Sequence, residues 1–144
     1  ATTLYLVQGD GSDYPGWPKT LNGYAFDAQA PIIAIGNLDN LGDQEIVLAG
    51  AQSGTTTTTG KLLVLNSAGN LLAGWPVDIP DSDIKPFFLS PVALNDLDGN
   101  GTLEIILAAR KAGKVYAFNF QGQPISGWPY NIGVANNTSV ALAT

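Results

Sequence analysis

The chain has no cysteine, no histidine and no methionine in 144 residues. Without cysteine there is no disulfide framework, and zinc–thiolate and iron–sulfur chemistry are excluded. Without histidine the commonest general base and the imidazole metal ligand are gone. Charge is also scarce. Charged residues make up 12% of the chain, against about 25% in an ordinary domain. Only six are basic, against twelve acidic, for a net charge of −6. Arg110, Lys111 and Lys114 form the one basic cluster, so nucleic acid is not an expected partner. No apolar run reaches the roughly 18–20 residues that a membrane-spanning helix needs, and no span is expected. No stretch keeps a helical period.

What the chain does have is an acidic loop, Asp96-Leu97-Asp98-Gly99-Asn100-Gly101-Thr102-Leu103-Glu104. Oxygen side chains stand at positions one, three, five and nine, with glycine at six. A hard cation such as calcium takes about six to eight oxygens, and this spacing can wrap several around one point. Gly101 lets the loop reverse, because it accepts positive φ without a Cβ clash. Asp96, Asp98, Asn100 and Glu104 are the expected ligands, with the Thr102 backbone carbonyl as a fifth. The plainer alternative is an Asx-rich turn satisfied by its own amides. Acid–base catalysis by Asp96 and Asp98 is disfavoured, since no nucleophile or base accompanies them. The flanking runs Pro91-Val92-Ala93-Leu94 and Ile105-Ile106-Leu107-Ala108 read as strands, so the loop joins a hairpin.

The loop has a degenerate twin. Residues 34–47 align with residues 93–106 at an offset of 59. Asn37, Asp39 and Glu45 match ligand positions, and Asp43 adds a carboxylate at position seven. Leu41 replaces the ligand at position five, which predicts a weaker site.

A Gly-Trp-Pro triplet occurs three times, at Gly16, Gly74 and Gly127. Each follows an apolar run and a glycine-containing turn. One repeat therefore reads as strand, acidic loop, strand, connection, strand, turn, Gly-Trp-Pro strand. That is four strands in roughly 55 residues, near the size of a propeller blade. Trp17, Trp75 and Trp128 read as blade-packing residues rather than sugar-stacking platforms. Pro18, Pro76 and Pro129 suit an outer edge strand, where a missing amide costs little. Tyr5, Phe87, Phe88, Tyr116, Phe118 and Phe120 read as core, and residues 31–35 as an inner strand buried on both faces.

The acidic loop between apolar strands and the recurring Gly-Trp-Pro resemble the FG-GAP or VCBS-type repeats of calcium-binding β-propellers, which include the integrin α-subunit head. The resemblance implies an all-β fold of four-stranded antiparallel blades, with calcium in the loop between the first two strands. On it, residues 1–26 are the C-terminal half of a blade. Residues 27–83 are a complete unit with the degenerate loop, 84–133 a complete unit with the calcium-type loop, and 134–144 the first strand of a further blade. A closed propeller needs about four to eight blades. The expected partners are therefore other copies of the chain, or the rest of a longer one, with an extracellular protein or glycan as ligand.

The implied function is a non-enzymatic, calcium-binding module of the extracellular space or cell surface, serving adhesion, assembly or ligand recognition. One alternative is a structural subunit that joins head to tail into a ring or filament by sharing blades. The other is a scaffold piece of a larger secreted enzyme, such as a polysaccharide lyase. Overlapping glycosylation sequons at Asn136 and Asn137 fit an extracellular setting. So does a weak calcium loop, because cytosolic calcium is too scarce to fill it. The five consecutive threonines at 55–59 read as an exposed hairpin loop.

Overall fold

The computed structural model describes residues 2–26, 32–53, 60–79, 90–109 and 112–133. The regular elements there are all β-strands, paired antiparallel, with no helix among the described residues. Accordingly none of the described residues forms a helix long and apolar enough to cross a membrane. The all-β expectation holds. The threonine loop at 55–59, Phe87 and Phe88, the Arg110–Lys111 pair, the sequons and the strand expected in 134–144 lie outside the described residues.

Strands β1 (Thr2–Leu4) and β2 (Lys19–Leu21) form a two-stranded sheet. Strands β4 (Ile32–Gly36), β5 (Glu45–Gln52), β6 (Gly60–Leu65) and β7 (Val77–Ile79) follow one another as an antiparallel meander. The short β3 (Tyr24–Ala25) pairs with the end of β5, at Gln52 and Ala51, beyond the stretch that β4 occupies. A second meander runs β8 (Ala93–Asn95), β9 (Glu104–Ala109), β10 (Lys114–Phe118) and β11 (Tyr130–Asn131).

The central strands are buried on both faces, as their continuous apolar sequences demand. Along β5 and β6 the two faces alternate. Ile46, Leu48, Leu63 and Leu65 pack with Trp17 and the first hairpin. Val47, Ala49, Leu62 and Val64 pack in the opposite direction, against Ile105, Leu107, Tyr116 and Phe118 of the second meander. The two sheets are thus stacked face to face, with Trp75 in the shared core.

The three Gly-Trp-Pro segments fold alike. In each a tight turn closes through a backbone bond across four residues: Gln8 N to Ser12 O, Asn66 N to Asn70 O, and Asn119 N to Gln123 O, at 2.8, 2.9 and 2.9 Å. An isolated bridge follows, Val7 with Asp13, Leu65 with Leu71, and Phe118 with Pro124. Each Gly takes positive φ, at 83°, 89° and 87°, and each Trp–Pro bond is cis. Each proline immediately precedes an edge strand, β2, β7 or β11, as expected for a residue that cannot donate to a ladder.

Two expectations about the core are corrected. Tyr5, read as core, is 64% exposed, because among the described residues no sheet lies against its face. Strand β4 is not buried on both faces. Ile32 and Gly36 are buried and Ala34 is partly so, but Ile33 and Ile35 are exposed. Only the first set meets the second sheet.

Candidate metal centre

The two acidic loops occupy the same place in their sheets. Residues 37–44 connect β4 to β5, and residues 96–103 connect β8 to β9. Both carry αL residues where the chain must turn. Asn40 (φ 59°) and Gly42 (φ 69°) do so in the first loop, Gly99 (φ 76°) and Gly101 (φ 88°) in the second. Asparagine tolerates this conformation better than most non-glycine residues. The loops also touch, since the Leu103 amide donates to the Leu38 carbonyl at 3.0 Å.

In the second loop Asp96, Asp98 and Glu104 converge, each offering a carboxylate oxygen within 4.8 Å of the others. Local amides hold them there. Asp96 Oδ1 accepts from Gly99 N at 2.7 Å and Asn100 N at 3.1 Å, and its Oδ2 accepts from Gly101 N at 2.9 Å. Asp98 Oδ1 accepts from Asn100 N at 3.1 Å. These are the Asx-turn bonds of the plainer reading, and they coexist with the convergence.

Glu104 is what lifts the loop above a turn. It opens strand β9 and is fully buried. Its Oε2 accepts from the Leu97 amide at 2.7 Å, while Oε1 is buried with no hydrogen-bond partner. Burial pushes its pKa up; the Leu97 amide works against this, and the neighbouring Asp98 and Asp96 carboxylates add to the rise. A buried carboxylate oxygen without a partner is costly. Its position beside two more carboxylates matches what an oxygen-coordinated cation requires. Asp96, Asp98 and Glu104 can together hold a metal ion, and an all-oxygen donor set fits a hard one.

Asn100 and Thr102 are placed differently. The Asn100 amide oxygen accepts from Thr102 N at 2.7 Å and from the Thr102 hydroxyl. Both lone pairs of that oxygen are engaged, so it joins an ion only by releasing one of them.

The first loop keeps the frame but not the convergence. Glu45 Oε2 accepts from Leu38 N at 2.8 Å, as Glu104 does from Leu97, and Glu45 is also buried. Burial raises its pKa, with Asp39 and Asp43 adding to the rise and the Leu38 amide opposing it. Asn37 Oδ1 and Asp39 Oδ1 both accept from Leu41 N, at 3.0 and 2.9 Å. Asp43 turns elsewhere: its Oδ2 accepts from the Ser67 hydroxyl at 2.8 Å. Leu41 at position five points to solvent, 72% exposed. Among the described residues, the acids of this loop do not gather as those of the second do.

Sequence reading missed the amides of Leu38 and Leu97. Their signal was there, in an apolar residue directly after the first ligand, but which amide reaches the glutamate depends on the folded hairpin. No protein-family model, curated protein or solved structure matches this chain.

Proposed function

We propose that this chain is a non-enzymatic, calcium-binding, β-propeller-type repeat module of the extracellular space or cell surface, working in adhesion, assembly or ligand recognition. The observation that carries the reading is the convergence of the Asp96, Asp98 and Glu104 carboxylates, with Glu104 fully buried and its Oε1 without a hydrogen-bond partner. Calcium supplies the positive charge that offsets the mutual repulsion of these carboxylates and the desolvation of Glu104. Asp96, Asp98 and Glu104 hold it by side-chain oxygens, with Asn100 and the Thr102 carbonyl as further ligands. Because the three acids come from both ends of one hairpin loop, the ion ties β8 to β9 and couples metal binding to folding.

The blade reading is supported by two successive four-stranded meanders stacked face to face, each with its acidic loop between first and second strands. A purely binding role is supported by the chemistry of the residue set, since carboxylates in a metal-type loop have neither histidine nor cysteine beside them anywhere in the sequence.

A native mass spectrum in calcium-containing and chelated buffer tests the reading. One calcium per chain that disappears on chelation is expected. A chain that carries no calcium at millimolar concentration would reduce the loop to a structural turn and remove the proposal.

A further inference from the structure

Two Asn-Gly pairs occur in the sequence, Asn22-Gly23 and Asn100-Gly101. Both are exposed, and both glycines take positive φ, at 82° and 88°. An asparagine followed by glycine can react with its own backbone. The next amide nitrogen attacks the side-chain carbonyl carbon, and a residue without Cβ leaves that approach unhindered. The reaction needs an amide N–H with no acceptor, a side chain able to swing onto it, and solvent. The two pairs differ in the first two of these.

At Asn100 both reacting groups are engaged. Gly101 N donates to Asp96 Oδ2 at 2.9 Å, and Asn100 Oδ1 accepts from Thr102 N at 2.7 Å and from the Thr102 hydroxyl. At Asn22 neither is. Among the described residues the Asn22 side chain has no hydrogen-bond partner and the Gly23 amide has no acceptor. A Cβ built on Gly23 would meet nothing within 4 Å, so the space around the amide is open. This pair is also the whole connection between two sheets. Strand β2 ends at Leu21 and pairs with β1, while β3 starts at Tyr24 and pairs with β5. The Gly23 carbonyl is tied to the end of β5 by accepting from Ser53 N at 2.9 Å.

We propose that Asn22 is a site of spontaneous deamidation, and that its isoaspartyl product loosens the joint between the β1–β2 sheet and the first meander. Gly23 N gives its proton to solvent and bonds to Asn22 Cγ. The Cγ–Nδ2 bond breaks, and the side-chain nitrogen takes up a proton and leaves as ammonia. One water then opens the five-membered imide. Cleavage of the new bond at Cγ gives aspartate. Cleavage at the Asn22 backbone carbonyl gives isoaspartate, whose main chain runs on through Cβ and Cγ. Both products carry a new negative charge, but only isoaspartate lengthens the backbone. In a two-residue turn the added atom displaces the Gly23 carbonyl from Ser53 N and strains the pairing of Tyr24 and Ala25 with β5. The site stands independently of the metal reading.

Ageing the whole 144-residue chain in mildly alkaline buffer with chelator, in water enriched in heavy oxygen, tests this by peptide mapping. The Asn22 peptide should take up heavy oxygen and separate into aspartyl and isoaspartyl forms. Asn100-Gly101 must first release hydrogen bonds at both reacting groups, so in the folded chain it should convert about a hundredfold more slowly. In denaturant the two rates should come together, because the local chemistry is the same. Asn22→Gln enlarges the ring that must form, and should suppress the modification without changing the melting temperature, since the side chain is exposed. Hydrogen exchange reads the joint. The Ser53 amide should exchange roughly tenfold faster in the isoaspartyl form than in the parent, and at the parental rate in Asn22→Asp, which adds the charge alone. Equal conversion of Asn22 and Asn100 in the folded chain overturns the site. A Ser53 amide that exchanges equally in the isoaspartyl form and the parent overturns its effect on the joint.

Discussion

Glu104 Oε2 accepts from the Leu97 amide at 2.7 Å, and this single bond leaves the other carboxylate oxygen buried and unmet. One oxygen is anchored to the loop and the other has no hydrogen-bond partner, in a carboxylate that converges with Asp96 and Asp98. Glu45 makes the same bond to Leu38, in a loop where the companion acids do not converge.

Glu104→Gln separates metal binding from folding. It removes the charged ligand while preserving an acceptor for Leu97 N. Calcium affinity is expected to fall roughly a hundredfold or more. The metal-free chain should gain about 1–3 kcal/mol at neutral pH, because a neutral amide is cheaper to bury than a carboxylate. Calcium titration by calorimetry and thermal melts in chelator report the two effects. A variant that is less stable than wild type without metal would contradict the account.

The pH dependence should change sign with metal. Burial raises the pKa of Glu104 and Glu45 in the folded chain above the ordinary glutamate value. Without metal, their contribution to stability is most favourable below the unfolded-state pKa, where both are protonated. It declines as pH rises from there through the folded-state value. With calcium, protons compete with the ion and stability rises with pH. The clean observable is the difference in melting temperature between wild type and Glu104→Gln across pH 4–7, in chelator and in calcium. Asp10, whose pKa is lowered by its bonds to Ser12, acts in the opposite direction and cancels in that difference.

A second site can be built into the first loop. Leu41 is exposed at the position where the other loop has Asn100, so a polar substitution there carries no packing penalty. Leu41→Asp supplies a third side-chain ligand beside Asp39 and Glu45. Mass spectrometry should show one more calcium per chain than the parent. An unchanged count would mean that the Ser67 bond of Asp43 or the neutral Asn37 keeps the loop closed to metal.

Gly74→Ala and Gly127→Ala isolate the interface between units. Both glycines have φ near +88°, at 89° and 87°, so the local strain is the same, about 1–2 kcal/mol. Only Gly74 faces a neighbour, with the Gln121 carbonyl oxygen 2.3 Å from the built Cβ. Gly74→Ala should therefore cost about 2 kcal/mol more than Gly127→Ala in denaturant unfolding. Equal losses would mean that the sheets separate there easily.

Much of this protein was determined by local chemistry that the sequence alone carries. Glycine at positive φ, Asx bonds to nearby amides and proline at an edge act over a few residues, so the turns and the order of strands within each meander were legible from spacing, while the pairing of β3 with β5 was not. The doubled loop and the threefold Gly-Trp-Pro hairpin made the meanders legible too. What only the tertiary structure decided concerns residues far apart in sequence. Asp43 meets Ser67 rather than its own loop, Tyr5 and Ile35 stay exposed despite apolar character, and Trp17 and Trp75 find their acceptors some 50 and 45 residues away. Burial is a property of what lies opposite a side chain, and spacing along the chain does not specify that. For the same reason the second acidic loop became a centre with an unmet carboxylate oxygen while the first, with almost the same pattern, did not.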